Sequence, residues 1–205
     1  MCGVVGFSCD NPSEEHYDLL AKLICESAIR GLHSFGISYT NPTFGIVTKK
    51  NHDLIALNIP KVNKLIFHNR YSTSGDYKDH KNNQPITDGK IALAFNGVID
   101  MRTKEEMETA YGIQMRTEND GEIVLQTCGS DKQKLKSFVE NTTGSFAGLI
   151  LTASNELLAI RNTNRPLWTC EYKDGVYFAS TKDIFKRADS TLNPVEVKPY
   201  TIYES

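Results

Sequence analysis

The chain has 205 residues, of which 40% are hydrophobic and 23% charged, enough for one large domain with a sizeable core or at most two small ones. Lys and Arg number 23 against 25 Asp and Glu, and the net charge of -2 offers no electrostatic footprint for nucleic acid or an acidic membrane. Small neutral or zwitterionic ligands are the more natural partners.

The cysteine content and the N-terminus indicate the compartment. Five cysteines, without a CxxC pair, favour neither a disulfide framework nor a zinc ribbon. The chain has no basic segment followed by an apolar run at its start, and no stretch of about 18 consecutive apolar residues. We therefore expect a soluble protein of the reducing cytoplasm.

The first residues, Met1-Cys2-Gly3, precede a short buried strand predicted over residues 3–8. A cysteine is small enough for methionine aminopeptidase to act, so the mature chain is expected to begin with Cys2. Its α-amine, titrating near ~7.7 to 8.0, would then lie beside a thiol that titrates near ~8.5. Such an amine can act as the base for the nucleophile of its own residue. Taken alone, Cys2 is better explained as an ordinary small buried side chain.

The first half of the chain combines one helix with short strands. The helix is predicted over residues 14–30, with Ser13 as its N-cap and Gly31 at its end. β-prone runs are predicted for residues 35–39, 44–48, 54–57, 64–70 and 91–95. Asn96-Gly97 directly after the last run favours a hairpin turn, and the charged stretch 76–89 is a surface loop long enough to reach over a pocket.

The second half begins with helices and returns to strands. Helices are predicted for residues 103–111, 120–128 and 131–141. Strands are predicted for residues 145–152, 157–162, 168–172 and 176–179, then a short helix for 182–187 and a last strand for 195–203. Because helices and strands are grouped and do not alternate, the pattern favours an α+β layered domain over a doubly wound parallel sheet.

Several polar clusters interrupt these elements, and each has an ordinary explanation by itself. Arg30 fits a charge at a helix C-terminus, Arg70 a surface residue, and Asp120 a helix N-cap. The clusters occur in a fixed order, as the motifs Met1-Cys2-Gly3, Arg30-Gly31-Leu32-His33-Ser34-Phe35-Gly36, His68-Asn69-Arg70-Tyr71-Ser72-Thr73-Ser74-Gly75, Asn82-Asn83-Gln84-Pro85, Asn96-Gly97 and Asn119-Asp120.

In that order and spacing, the motifs resemble the glutaminase domain of the class II glutamine amidotransferases, which are N-terminal nucleophile hydrolases. The resemblance spans about residues 1–185. It implies a four-layer αββα sandwich of two antiparallel sheets, and one glutaminase-type domain across residues 1–205 without a synthase domain. It also implies that no metal or organic cofactor is required.

The resemblance gives the chemical groups their roles. Cys2 would attack the side-chain amide of L-glutamine, and a γ-glutamyl thioester, ammonia and finally glutamate would follow. The Asn96 side-chain amide and the Gly97 backbone N–H would be the oxyanion donors. Arg30 would support the region around Cys2.

The α-carboxylate and the α-ammonium of the substrate would be bound by a second group of residues. Arg70, with its planar fork of donors, suits the α-carboxylate, and Asp120 suits the α-ammonium. Thr73 would add a hydroxyl contact. We interpret His68 as structural, because the α-amine already serves as the base.

The chain departs from the family pattern at some motif positions. His33 stands where the family has an aspartate, and Phe95 stands where a histidine usually precedes Asn-Gly. Neither change removes a proposed catalytic group, but together they leave the aminosugar, purine and asparagine branches undistinguished.

The acceptor of the ammonia is not visible in the sequence, so we expect a separate ammonia-accepting synthase as partner. Two other hypotheses stay open: a stand-alone amide hydrolase of the same superfamily, which the pair Arg70 and Asp120 disfavours, and a non-catalytic binding or regulatory subunit. Joint retention of Cys2, Asn96 and Gly97 disfavours the second.

Overall fold

The structure, a computed structural model, describes residues 1–72, 75–162 and 164–205. In these ranges the strands are β1 (Gly3–Ser8), β2 (Ser34–Asn41), β3 (Gly45–Asn51), β4 (Lys64–Arg70), β5 (Ile86–Thr87), β6 (Ile91–Val98), β7 (Ser145–Thr152), β8 (Leu157–Arg161), β9 (Trp168–Tyr172), β10 (Gly175–Ala179), β11 (Val195–Glu196) and β12 (Ile202–Glu204). The α-helices are α1 (Glu14–Ser27), α2 (Lys104–Tyr111), α3 (Glu122–Thr127), α4 (Lys132–Asn141) and α5 (Lys182–Ala188).

The strands form two antiparallel sheets. One sheet has seven strands in the order β11-β9-β10-β1-β4-β2-β3, and the other has five in the order β12-β8-β7-β6-β5. Every neighbouring pair in both sheets runs antiparallel. Antiparallel strands need no helical crossover between neighbours, which is why the helices are grouped along the chain.

Three apolar cores separate four layers. The first, which includes Phe7 and Leu23, lies between the seven-stranded sheet and helices α1 and α5. The second, which includes Val4 and Leu149, lies between the two sheets. The third, which includes Ile123, lies between the five-stranded sheet and helices α2 to α4. Successive side chains of a strand point to opposite faces, so each sheet packs against helices on one face and against the other sheet on its other face. This arrangement confirms the predicted α+β sandwich of two antiparallel sheets.

The N-terminal helix shows how local signals fix its ends. The Ser13 N–H donates to Nδ1 of His16 at 3.0 Å, which pairs an amide left free at the start of α1. The last three residues predicted as α-helix, 28–30, form a 3₁₀ turn that ends at Gly31. A Cβ at Gly31 would stand 2.4 Å from the backbone carbon of Arg70, so only glycine lets this turn approach the end of β4.

Two sequence predictions of strands and turns are wrong in the first half. Residues 54–57 were expected to be extended, but Ile55–Leu57 is a 3₁₀ turn. The Asp53 carboxylate accepts the Ile55 N–H at 2.9 Å, so this amide is not used in strand pairing. The Ile55 side chain is 89% exposed and does not anchor the segment to a sheet. Asn96-Gly97 does not form a hairpin turn, because both residues lie inside β6 and pair with β7.

The predicted last strand, residues 195–203, is also wrong, since it divides into β11 and β12. These two strands belong to different sheets. Pro199 lacks a backbone N–H for a ladder, and Tyr200 has φ 59°. The chain therefore leaves one sheet at β11 and joins the other at β12.

No helix in the described ranges combines the length and the apolar character that crossing a bilayer requires.

Candidate active site

The pairing of β1 with β4 brings the N-terminus to the site. The two strands are antiparallel with Gly3 opposite Asn69, so Cys2 lies beside the residues that follow β4. A Cβ at Gly3 would stand 2.2 Å from Oδ1 of Asn69, so a larger residue would have to displace this side chain from its hydrogen bonds with Ser27 and Gly31. The Cys2 thiol points at the backbone carbonyl of Tyr71, with Sγ 3.7 Å from the oxygen.

The Cys2 thiol is half-buried between cations. Burial raises its pKa, because a thiolate loses hydration there, and the nearby charges of Arg70 and Arg30 offset only part of that effect. The Arg30 guanidinium donates from Nε to the Cys2 carbonyl oxygen at 2.8 Å. The thiol therefore needs a base, and its backbone is held by a side chain from the end of the first helix.

Arg70 ends β4 and organises the loop that follows. Its side chain is 8% exposed. Nη1 donates to the Asn82 carbonyl at 2.9 Å and to Oδ1 of Asn83 at 2.6 Å, and Nη2 donates to the Gly75 carbonyl at 3.3 Å. One guanidinium thus fixes the loop between Gly75 and Asn83 while it lines the cavity described below.

Asn96 carries a buried donor. Its side chain is 3% exposed, and Nδ2 has no hydrogen-bond partner among the residues that the structure describes. An unpaired buried amide typically costs about 1 to 3 kcal/mol. This donor is therefore not used by the residues that the structure describes.

The backbone of Gly97 is directed by its position opposite Phe146. Both backbone groups of Phe146 bond Asn162, so they point away from β6. Antiparallel pairing then directs the Gly97 N–H away from β7. It points to the same side as the Phe95 N–H, which donates to Oε1 of Gln84 at 2.6 Å. Gln84 lines the cavity, so this edge of β6 borders the site.

Asp120 supports the turn after β6. Its Oδ2 accepts the Ile99 N–H at 2.6 Å and the Asp100 N–H at 3.1 Å. Burial nevertheless raises the pKa of the Asp120 carboxyl, because desolvation outweighs these bonds. A carboxylate in such a place favours a cation beside it.

A cavity of about 360 Å³ collects these groups. Four of the predicted site residues line it, namely Cys2, Arg70, Gly97 and Asp120. Two others lie next to it in the chain or by contact: Asn96 precedes Gly97, and Arg30 bonds the Cys2 carbonyl. Thr73, the remaining predicted residue, lies outside the described residues.

Sequence reasoning missed three partners. The Tyr71 carbonyl that faces the thiol has no sequence signal, because any residue supplies such a group. Asn82 and Asn83, which accept from Arg70, belong to the motif Asn82-Asn83-Gln84-Pro85, which had been recognised without a role for its members. A polar motif in a loop predicted to cover a pocket was the signal that could have found them.

His68 is held neutral in the interior. The imidazole is fully buried, and burial, with a smaller contribution from the charge of Arg70, lowers its pKa to about 3. It is not among the residues that line the cavity.

One other group of side chains has atoms suited to a metal. Cys9, His16 and Asp174 bring such atoms within 4.8 Å of one another. Nδ1 of His16 accepts the Ser13 N–H at 3.0 Å, whereas Nε2 lies 3.0 Å from Oδ1 of Asp174 without forming a hydrogen bond in the described chain. Nδ1 is thus used in capping α1.

Solved structures share this fold. Glutamine phosphoribosylpyrophosphate amidotransferase from B. subtilis superposes with a TM-score of 0.74 at 22% identity, covering 100% of this chain and 49% of that one. A glutamine aminotransferase class-II domain protein from Silicibacter pomeroyi superposes with a TM-score of 0.62 at 11% identity, covering 100% and 98%. At these identities the likeness shows the fold alone, that of the N-terminal nucleophile amidotransferases.

Sequence relatives agree with the fold. Glutamine–fructose-6-phosphate aminotransferase (isomerizing) of Staphylococcus aureus is 27% identical over 186 residues, which cover 82% of this chain and 30% of the relative. The enzyme of the same name from Halobacterium salinarum is 25% identical over 197 residues, which cover 90% and 32%. The chain thus spans about a third of the length of these relatives. A family model described as glutamine amidotransferase domain matches residues 68–187, more than half of the chain. The protein therefore belongs to the glutamine amidotransferase domain family.

Proposed function

We propose that this domain is a glutaminase in which Cys2 attacks the side-chain amide of L-glutamine. The observation that supports this most is the cavity that brings the Cys2 thiol together with Arg70, Gly97 and Asp120. A zwitterionic amide substrate requires a nucleophile for its amide carbon, a cation for its carboxylate and a carboxylate for its ammonium. It also requires a glycine at which it can approach the backbone closely.

The proton transfers follow from the chemistry of the N-terminus. Loss of Met1 would turn the Cys2 nitrogen from an amide into an amine, which can take the thiol proton. The thiolate then adds to the amide carbon, and the proton passes to the amide nitrogen as the carbon–nitrogen bond breaks and ammonia leaves. Water, activated by the same amine, hydrolyses the γ-glutamyl thioester to glutamate and restores the thiol. The raised thiol pKa supports the need for such a base.

Two donors suit the negative charge that develops on the amide oxygen. Nδ2 of Asn96 is buried without a partner in the described chain, and the Gly97 N–H is directed to the open edge of β6. A preorganised donor of this kind contributes about 3 kcal/mol to the transition state. The energetic cost of keeping Asn96 unpaired is thereby offset when substrate reacts.

The α-carboxylate and the α-ammonium of glutamine, both carried by its Cα, would be bound by Arg70 and Asp120, which line the same cavity. Arg70 suits the carboxylate, since a guanidinium binds carboxylates through parallel N–H bonds. Asp120 suits the ammonium, because a desolvated carboxylate gains from a cation beside it. Thr73 would add a hydroxyl contact.

We further propose that residues 1–205 are one glutaminase-type domain without a synthase domain, and that a separate synthase protein accepts the ammonia. The strands and helices of the two sheets begin at Gly3 and end at Glu204, so these residues form a single sandwich. Co-purification with a synthase in the native cell would support this, and purification of the domain alone under the same conditions would count against it.

The test of the proposed activity is the conversion of glutamine to glutamate, measured alongside the intact mass. We expect wild-type protein to have lost Met1 and to form glutamate, Cys2→Ala to be inactive, and Cys25→Ala to be unchanged, because Cys25 is an exposed free thiol outside the cavity. Full activity in molecules that retain Met1 would overturn the amine as base. Equal glutamate formation by wild type and Cys2→Ala would leave a non-catalytic binding module.

A further inference from the structure

We propose that His33 is a positioning residue for glutamine binding: its imidazole holds the segment Arg70-Tyr71-Ser72 in place by accepting the Ser72 N–H. This inference rests on the proposed glutaminase function. His33 lies just before β2 and does not line the cavity, so it would act through this segment and not by touching substrate.

Two hydrogen bonds connect His33 to the segment. The His33 backbone N–H donates to the Arg70 carbonyl at 3.0 Å, and the Ser72 backbone N–H donates to Nδ1 of His33 at 2.9 Å. A backbone N–H can only donate, so Nδ1 carries no proton in this arrangement. One residue thus fixes the backbone on both sides of Tyr71.

The ring of His33 is also stacked between two tyrosines. Its centroid lies 5.1 Å from that of Tyr71 at an interplanar angle of 21°, and 4.7 Å from that of Tyr77 at 22°. Nδ1 of His52 lies 3.0 Å from the His33 carbonyl oxygen. The plane and the direction of the imidazole are therefore set by neighbours on several sides.

The segment needs such support because the sheet no longer supplies it. Arg70 is the last residue of β4 and pairs with Ser34 of β2, whereas the Ser72 N–H lies beyond the ladder and finds its partner in the imidazole. Backbone donors without a partner are costly. The His33 side chain thus supplies an acceptor two residues beyond the last backbone pairing of β4.

The groups that depend on this segment belong to the site. Arg70 faces the cavity and binds the loop to Asn83, while the Tyr71 carbonyl lies 3.7 Å from Sγ of Cys2. If the Ser72 N–H loses its acceptor, the backbone that carries the Arg70 side chain is held less firmly. The guanidinium that would bind the substrate carboxylate is then less well positioned. Ground-state binding of glutamine should weaken more than the chemical step.

Two substitutions separate the acceptor from the ring. In His33→Asn, Oδ1 takes the place of Nδ1 as an acceptor, but the stack is lost. In His33→Phe, the stack is retained without an acceptor. Loss of the hydrogen bond to Nδ1 predicts that His33→Phe raises KM for glutamine about 5- to 10-fold with kcat within about twofold, while His33→Asn stays within about twofold of wild type in both.

The opposite ranking, with His33→Phe like wild type and His33→Asn impaired, would overturn the proposal in favour of stacking alone. Lower melting temperatures in both variants with unchanged KM would overturn it in favour of a merely structural role. If wild type fails to hydrolyse glutamine, the proposed function fails, and the positioning claim is decided by hydrogen exchange at the Ser72 amide: faster exchange in His33→Phe than in His33→Asn supports it, and equal exchange refutes it.

Discussion

The Arg30 guanidinium donates to the backbone carbonyl of Cys2 at 2.8 Å across 28 residues of sequence. This bond holds the residue that carries the proposed nucleophile, and its charge lies close enough to favour the thiolate. We expect Arg30→Ala to lower kcat for glutamine hydrolysis about tenfold, with a smaller change in KM, because a charge-assisted hydrogen bond contributes about 1.5 to 3 kcal/mol.

The matched control for Arg30 is Arg187→Ala. Arg187 is exposed and pairs with Glu26 on the surface, at 2.8 Å, so its loss should leave both constants unchanged. A kcat equal to that of wild type in Arg30→Ala would show that the Cys2 backbone is held by β1 alone.

Gly97 is the position at which a single methyl group should be most damaging. Its φ is 131°, and an added Cβ would stand 2.0 Å from the Ser145 carbonyl oxygen. We expect Gly97→Ala to displace β6 from β7 and to abolish glutamine hydrolysis, with a free energy of unfolding lower by about 2 kcal/mol or more. Kinetic assays and urea unfolding measure the two effects.

Gly89→Ala separates the clash from backbone strain. Gly89 also has a left-handed backbone, with φ 88°, but its added Cβ would meet nothing within 4 Å. This variant should lose only about 1 to 2 kcal/mol of stability and retain activity. Equal effects of the two alanines would refute the close approach of β7 as the reason for glycine at position 97.

Asn96 should matter for rate more than for binding. Its buried Nδ2 has no partner in the described chain, so it would gain its hydrogen bond only from the substrate oxygen. Removing one oxyanion donor typically lowers kcat about 10² to 10³-fold. We expect that loss in Asn96→Ala with little change in KM. A raised KM with an unchanged kcat would identify Asn96 as a ground-state contact instead.

The sequence predicted an α+β layered domain because its signals are local and periodic, and the resemblance implied the sandwich of two sheets. The bounds of β4 and β7 agree with the structure, since alternating or continuous apolar runs end there in polar residues. Asn96-Gly97 was assigned to a turn because local preference alone cannot show that β7 pairs beyond Phe95. Tertiary pairing decided that element.

The sequence predicted which residue types belong to the site, but not the contacts that these residues make with one another. The resemblance named Arg70 for a carboxylate, but not its bonds to Asn82 and Asn83, which depend on a loop folding back. The contact between the Cys2 thiol and the Tyr71 carbonyl spans 69 residues and uses a backbone atom. The bonds to Asn82 and Asn83 leave only a polar loop motif as a signal, and the contact with a backbone carbonyl leaves no pattern in a single sequence.

Asp120 predicts a pH dependence of substrate binding. Burial raises its carboxyl pKa above the ordinary aspartate value, so the carboxylate gains a proton at a higher pH than an exposed one does. Only the charged form favours an ammonium, so KM for glutamine should rise on acidification, beginning above the usual range near ~3.9. Asp120→Asn should show a high KM that no longer varies there. A wild-type KM that begins to rise only at or below the ordinary aspartate range near ~3.9 would contradict this.

His68 predicts the pH dependence of stability. Its pKa in the folded protein is about 3, because burial disfavours the cation, whereas an unfolded histidine titrates near ~6.5. Between these values the unfolded chain binds more protons than the folded one, so the free energy of unfolding is retained above pH ~6.5 and falls on acidification, by up to about 1.4 kcal/mol per pH unit. Urea unfolding between pH ~5 and ~6.5 should therefore give a smaller slope of the free energy of unfolding against pH for His68→Gln than for wild type. Equal slopes for wild type and His68→Gln would show that the buried imidazole is charged in the folded state.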